Sequence, residues 1–385
     1  MTVQDQFNYR KQIFDDAIRW RKPDRVPHIS NFALWPILDY GVPLSQACRD
    51  WDLMERVMRR FIETYKFDSP GFLVGLLGNP RKMNDTIGQG YNVIDDAAGT
   101  VLIDDMDLLR AEDYDALITD FPSLMWSTLL PRKYPRWSEV KIADMKLAID
   151  EFVRYQSYME RIKKACVEEY GLPLIASQYN LTGFELLFNI FRGMKGLAYD
   201  MRRIPDKLLE AVEKLDFANG ALDKLFDDSL ANEASAFGFN TVILGHNMLS
   251  LTQWECYEWP YLKHVIDRAV AADSTVYIFA EGVISRFYEY FTDVPKGHLA
   301  IQLEQDDVFD FRKNLPNVAV SGGMTTRLLG SGTAKQCRDY AKHLIDELGT
   351  DGGFILCQDK MMSYIRDASP ENLKAVCDFA ADYRP

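Results

Sequence analysis

The sequence predicts an α/β fold, specifically a (β/α)8 TIM barrel with an N-terminal helix and a hairpin and loop insertion. Three observations carry this. Short apolar runs, PLIASQYN (173–180), TVILGH (241–246), TVYIFAEG (275–282), HLAIQLEQ (298–305), VAVSGG (318–323) and GFILCQDK (353–360), each precede a run of helical length. Strands alternating with helices pair in parallel. Each run ends on a polar or small residue, so Tyr179, His246, Glu281, Glu304, Gly322 and Asp359 would converge on the C-terminal rim, where barrels place their sites. Counting 25–31, 69–75, 173–178, 241–245, 275–280, 299–304, 317–321 and 353–357 gives the eight strands that close a barrel.

The remaining elements follow in chain order. FNYRKQIFDDAIRWR (7–21) has the apolar spacing of a helix, and KPDRVPHISN then supplies a turn and the first strand. Residues 45–66 predict an amphipathic helix capped by Ser45, and SPGFLVG (69–75) a second strand. GQGYNVIDDAAGTVLIDD (88–105) predicts a hairpin about an Asp-Ala-Ala-Gly turn. Several prolines with Trp126, Tyr134 and Trp137 in 106–145 predict an irregular excursion over the barrel mouth, its aromatics exposed as a lid or an interface between two copies in a homodimer. A long helix over 141–170 leads into the third strand. One domain thus spans 1–385, with an insertion at about 76–145.

Composition narrows the partners. Of 385 residues, 47% are hydrophobic, enough for a large core, and the formal net charge of −13 argues against nucleic acid and anionic membranes. MTVQDQFNYRKQ has no apolar signal core and no run approaches the ~18 residues of a membrane helix, so the expectation is a cytoplasmic protein. Six cysteines without a CxxC pair imply reduced thiols. Cys256, Cys337 and Cys377 fall in helical patterns and are expected in packing; Cys357 ends the last strand.

KPDRVP after the opening helix, LTGFELLFNIFRGMKGLAYDM after the third strand, WPYLKHVIDRA, and SGGMTTRLLGSGTAKQ followed by GGFILCQDK and ASPENLKAV resemble the uroporphyrinogen decarboxylase superfamily through nearly the whole chain. The resemblance implies a (β/α)8 barrel and one of two chemistries, porphyrinogen decarboxylation or cobalamin-linked methyl transfer. The decarboxylases carry an arginine-rich RQAGRY loop after the first strand for the substrate's carboxylates. Here HISNFALWPILDYG (28–41) holds no arginine, and unpaired carboxylates in a closed pocket would cost several kcal/mol each. Aromatic residues stand there instead: Phe32, Trp35 and Tyr40, joined by Phe72 and Trp126, a lining suited to a small apolar or aromatic substrate, with core packing as the alternative for each.

The methyltransferase branch resembled here carries a zinc site, a His-x-Cys pair after the fifth strand, a carboxylate after the sixth and a cysteine after the eighth. This chain reads Phe279-Ala280-Glu281-Gly282 at the fifth strand, Glu304 matches at the sixth, and Cys357 or Asp359 falls at the eighth. The usual His and Cys are missing at the fifth strand, where a carboxylate stands in the cysteine's place, so the thiolate-rich site is altered. Because zinc accepts His nitrogen and carboxylate oxygen, the expected ligands are His246, Glu281 and Glu304, with Cys357 at the eighth strand, and catalysis is expected from Glu281, Glu304 and His246. Substrate contacts are expected from Phe32, Trp35, Tyr179, Asn180, Phe279, Gly323 and Asp359. The methyl acceptor would be cobalamin on a separate corrinoid protein, since no Asp-x-His-x-x-Gly stretch is present. An aryl methyl ether is the favoured substrate, because a Lewis acid or a proton donor stabilises the departing phenoxide.

Other readings stay open. Glu281 and Glu304 can form a metal-free acid/base pair, one carboxyl raised by apolar walls. His246 can be a structural histidine, and Asp306-Asp307 a helix N-terminal charge feature. A decarboxylase or lyase of a small aromatic or tetrapyrrole-like acid would need a pocket arginine, for which Arg192, Arg286, Arg327 and Arg366 are candidates. A non-catalytic ligand-binding barrel is the alternative from another class.

Overall fold

The computed structural model describes residues 1–71, 81–88, 92–103, 108–175 and 180–385. Five parallel strands follow in the order of the chain: β5 (Phe239–Ile243), β6 (Val276–Ala280), β7 (Leu299–Leu303), β8 (Ala319–Met324) and β9 (Phe354–Gln358). All but one of their residues are buried, which is why they read as continuous apolar runs rather than alternating ones.

The sheet continues at both edges. His28 bridges Leu356 in parallel, joining β9 to β1 (Ile29–Ser30), and β1 pairs in parallel with β2 (Ser69–Pro70). On the other side Leu174, in the predicted third strand, bridges Ser235 just before β5. Seven of the eight neighbour relations of a closed barrel are thereby present among the described residues. No pairing of the second with the third strand is among them, and 72–75 and 176–178 of those predicted strands lie outside the described residues.

Inside the barrel Ile29, Ile175, Phe237, Tyr277, Ala300, Ala319, Ile355 and Cys357 form one apolar cluster, closed at the N-terminal end by Phe14, Ala17 and Ile18 of the first helix. That helix spans Val3–Ile18, with Thr2 and Asp5 forming a capping box. Tyr277 is fully buried in this interior, and its hydroxyl donates to Gln302 Oε1 at 2.8 Å and meets Ser321 Oγ at 3.0 Å. A larger apolar cluster outside the strands holds the surrounding helices.

Four expectations are corrected. Ser45 is not the cap of a helix over 45–66. A short helix Leu44–Ala47 ends first, and the main helix Trp51–Thr64 starts from Asp50, whose carboxylate accepts from Leu53 N at 2.9 Å. The described part of 106–145, residues 108–145, is not wholly irregular, since helices cover Tyr114–Leu124 and Leu130–Lys133, with the π-helical turn Met125–Leu129 between them. The interruption is confined to Asp120, whose φ of −150° precedes Pro122. Of the aromatics there, Trp126 is 63% exposed, whereas Tyr134 is buried and Trp137 packs against both. Cys256 is exposed rather than packed.

The hairpin is present as β3 (Asn92–Asp95) and β4 (Thr100–Ile103), antiparallel, its turn closed by Gly99 at φ 63°. The long helix spans Ile142–Glu168, and Asp307 caps Val308–Asn314 by accepting from Phe309 N and Asp310 N. Among the described residues no helix is long and apolar enough to cross a membrane.

Candidate active site at the C-terminal rim

The rim is organised where β6 ends. Glu281 N donates to Ile243 O at 2.9 Å, so the ladder runs one residue past β6, and the period of two that turns Tyr277 inward carries Phe279 and then Glu281 on the same face. Phe279, fully buried, lies one step below the carboxyl. The chain then bends at Gly282, φ 82°, whose N–H donates to Glu304 Oε2 at 2.5 Å. Glu304 follows β7, so two neighbouring strands bring the two carboxylates together.

Their proximity has an electrostatic consequence. Burial, and then the charge of Glu304, raise the Glu281 carboxyl to about 7. A carboxyl half protonated near neutrality can donate a proton at a pH where an ordinary glutamate cannot.

A second set of acids lies behind the rim, at helical positions the sequence did not single out. Glu185 is fully buried; its Oε1 accepts from Leu244 N and Gly245 N, both at 2.7 Å, and its Oε2 from Asn189 Nδ2 at 2.8 Å. Burial raises it to about 7 against those hydrogen bonds, with the Glu281 charge adding to the rise. Glu258, also fully buried, takes one hydrogen bond from Thr182 Oγ1 at 3.1 Å and is raised further by burial and by the charges of Glu185 and Asp216. Asp216 accepts from Gly183 N at 2.5 Å and is raised by burial to about 7.

These groups set a pH dependence of stability. Asp216 has a folded value above its unfolded one, so its contribution is fully present below about 3.8 and is lost as pH rises through about 7. Asp216→Asn is expected to remove that loss, gaining stability relative to wild type on the order of 3 kcal/mol at pH 8 and little at pH 4. Urea unfolding of both proteins across that range checks it; an equal difference at the two pH values would contradict it.

The other predicted site residues are dispersed. His246 is fully buried in an aromatic niche with Trp254 and Phe287 at ring distances of 6.3 and 6.1 Å, with the Val283 backbone as its polar neighbour. Burial lowers it to about 3, so it is neutral. Cys357 sits inside the barrel with Tyr277 and Ser321, its thiol pushed strongly up by burial. Among the described residues no three His, Cys, Asp or Glu side chains are arranged to hold a metal ion. The donor set His246, Glu281, Glu304 and Cys357 therefore does not fit zinc, because its histidine and its cysteine are each enclosed in separate packing.

Phe32 and Trp35 are core residues instead of a substrate lining. Both are fully buried edge-on against Phe61 of the Trp51–Thr64 helix, and Trp35 Nε1 donates to Ala368 O at 3.0 Å. Asn180 ties the third strand to β5, its Nδ2 donating to Asn240 O and its O accepting from Thr241 Oγ1, each at 3.1 Å. Asp359 accepts from Thr326 N and Lys360 N at 3.0 and 2.8 Å at the start of the Thr326–Ser331 helix. Gly323, φ 87°, faces the helices, where a Cβ would lie 2.9 Å from Leu344. Phe72 and Tyr179 lie outside the described residues. Of the four arginines, Arg192 is bidentate to Asp200, Arg327 and Arg366 are exposed, and Arg286 reaches the rim, where Nη2 donates to His246 O and Asn247 O.

Strand order defines a β/α barrel with two acids paired at its rim, and the comparisons with known proteins agree with the fold. Residues 192–383 match the family described as uroporphyrinogen decarboxylase (URO-D). That match places residues 192–383 in the uroporphyrinogen decarboxylase superfamily. A solved methyltransferase from Methanosarcina mazei is similar over 99% of both chains, with a TM-score of 0.62 at 12% identity, a likeness of fold. Dispersin B aligns with 58% of this chain and 76% of its own at 14% identity, with a TM-score of 0.32 that carries no weight. No curated protein matches the sequence.

Proposed function

We propose that the protein is a corrinoid-dependent methyltransferase that demethylates a small methyl ether, with Glu281 as the proton donor to the leaving oxygen. The observation that carries this is the pairing of Glu281 and Glu304 at the ends of the neighbouring strands β6 and β7, where Gly282 N binds Glu304, a setting in which burial and the Glu304 charge push the Glu281 carboxyl up to about 7. The fold shared with a methyltransferase and the absence of arginine in 28–41 support methyl transfer over binding of a polycarboxylate.

A reduced corrinoid on a separate partner protein would supply the nucleophile that accepts the methyl group. On this chain's side, the ether oxygen lies against protonated Glu281. As the methyl C–O bond breaks, the methyl carbon leaves without the bonding pair, which stays on oxygen, and oxygen takes the Glu281 proton. Burial, and then the charge of Glu304, which Gly282 N holds in place, raise Glu281 so that about half of it carries the proton near pH 7. The dispersed donors do not fit zinc, so no step passes through it.

The test mixes the protein with cob(I)alamin and a panel of phenyl methyl ethers, methylamines and methyl thioethers. Stoichiometric phenol release coupled to methylation of cob(I)alamin is expected. Loss of CO2 from small aromatic acids without any corrinoid would instead establish the decarboxylase reading, which Arg286 at the rim favours as a carboxylate holder.

A further inference from the structure

We propose that Glu185 and Asn247 are positioning residues which, acting in series, hold the Glu281 segment over Glu304. The chain of contacts is continuous. Glu185 arises in the helical turn Gly183–Leu186, whose start is fixed by Thr182 accepting from Glu185 N at 2.9 Å. From there its Oε1 takes both free N–H groups at the end of β5, those of Leu244 and Gly245. The turn cannot move toward the helix, because even a Cβ on Gly245 would stand 2.8 Å from Phe184.

The turn so fixed presents Asn247. Its Nδ2 donates to Leu244 O at 2.8 Å within the turn and to Glu281 O at 2.7 Å across the rim, while its Oδ1 accepts from Val283 N at 3.0 Å. One side chain therefore brackets Gly282 from both sides, and a Cβ on Gly282 would lie 2.4 Å from the Asn247 amide. Gly282 N is left free to bind Glu304. A fully buried carboxylate is costly unless its lone pairs are used, and Glu185 uses them on the two N–H groups of this turn and on Asn189. The inference rests on the reading of Glu281 as proton donor, yet the clamp itself is testable without substrate.

Hydrogen exchange measured by mass spectrometry on wild type, Glu185→Ala, Glu185→Gln and Asn247→Ala tests it. Glutamine keeps an oxygen for both N–H groups and loses only the acceptor for Asn189 Nδ2, so Glu185→Gln should exchange like wild type in 244–247 and 281–284. Glu185→Ala should speed exchange at least about tenfold in both 244–247 and 281–284. Asn247→Ala, at an exposed side chain, should speed it in 281–284 while leaving 244–245 protected. Wild-type exchange in 281–284 for Asn247→Ala would overturn the proposal, and this variant removes only exposed contacts, so it decides the matter even if Glu185→Ala fails to fold. With a methyl ether substrate, Asn247→Ala should lower kcat at least about tenfold with KM unchanged, and Glu185→Gln should retain wild-type kcat. Absence of methyl transfer in wild type would defeat the functional reading and leave the exchange result standing.

Discussion

Glu281→Gln is expected to slow demethylation about 10²–10⁴-fold, the usual contribution of a general acid, without loss of fold. Glutamine fills the same volume and leaves the Glu281 N bond to Ile243 O intact, but it has no proton to give. In wild type the rate should fall as pH rises through about 7, where Glu281 loses its proton. Glu304→Gln separates the causes. Its amide oxygen can still accept from Gly282 N, and burial still raises Glu281, but the neighbouring charge is gone. The limb of the profile should therefore move to lower pH without disappearing. A profile unmoved in Glu304→Gln would show that the two carboxylates do not interact.

The largest effect on stability is expected far from the rim. At the N-terminal end of the barrel Asp68 is buried and takes a bidentate pair of hydrogen bonds from Arg25, Nη1 to Oδ2 at 2.6 Å and Nη2 to Oδ1 at 2.5 Å, with His28 N at 2.9 Å and Arg10 Nε at 3.5 Å. Burial alone would raise this carboxyl, but the charge and hydrogen bonds of Arg25, helped by His28 N and Arg10, hold it below its ordinary value. This cluster joins the first helix, β1 and the approach to β2. Asp68→Asn leaves a buried guanidinium without its counter-charge, and is expected to cost about 3–5 kcal/mol in urea unfolding at pH 7. Because the folded value is lowered, the stabilisation is present above about 3.8 and lost as pH falls through the folded value. The gap between wild type and variant should thus narrow in acid; a constant gap would refute the electrostatic origin.

Legibility in the sequence followed burial geometry. The strands of the C-terminal half are covered on both faces, so runs such as TVYIFA and HLAIQL stood out, and the residue after each strand fell on the rim as the alternation requires. Glu281 and Glu304 could be read for that reason. Phe32 and Trp35 misled because they also follow a strand, but Trp35 opens a helix, Trp35–Tyr40, that folds back onto Trp51–Thr64. His246 likewise closes an apolar run, TVILGH, yet β5 ends at Ile243 and the short 3-10 turn Gly245–Met248 carries the ring into the aromatic niche. Glu185 and Glu258 were missed because carboxylates at helical spacing ordinarily face solvent. Their signal was contrast with their surroundings, Glu185 between Phe184 and Leu186 in an apolar run and Glu258 between Tyr257 and Trp259. The helices of 114–133 were hidden by Pro122 and Pro131, one beside a kink and one in a first turn, where proline is tolerated.

The proposed chemistry needs a carboxyl at the barrel rim that titrates near 7 and so still carries a proton at neutral pH in about half of the molecules. Its most direct test is the difference infrared spectrum of wild type minus Glu281→Gln, recorded from pH 5 to pH 9. A protonated-carboxyl band that belongs to Glu281 and disappears with a midpoint near 7 is the expected result. A carboxylate already ionised throughout that range would contradict the account, because Glu281 would then have no proton to deliver.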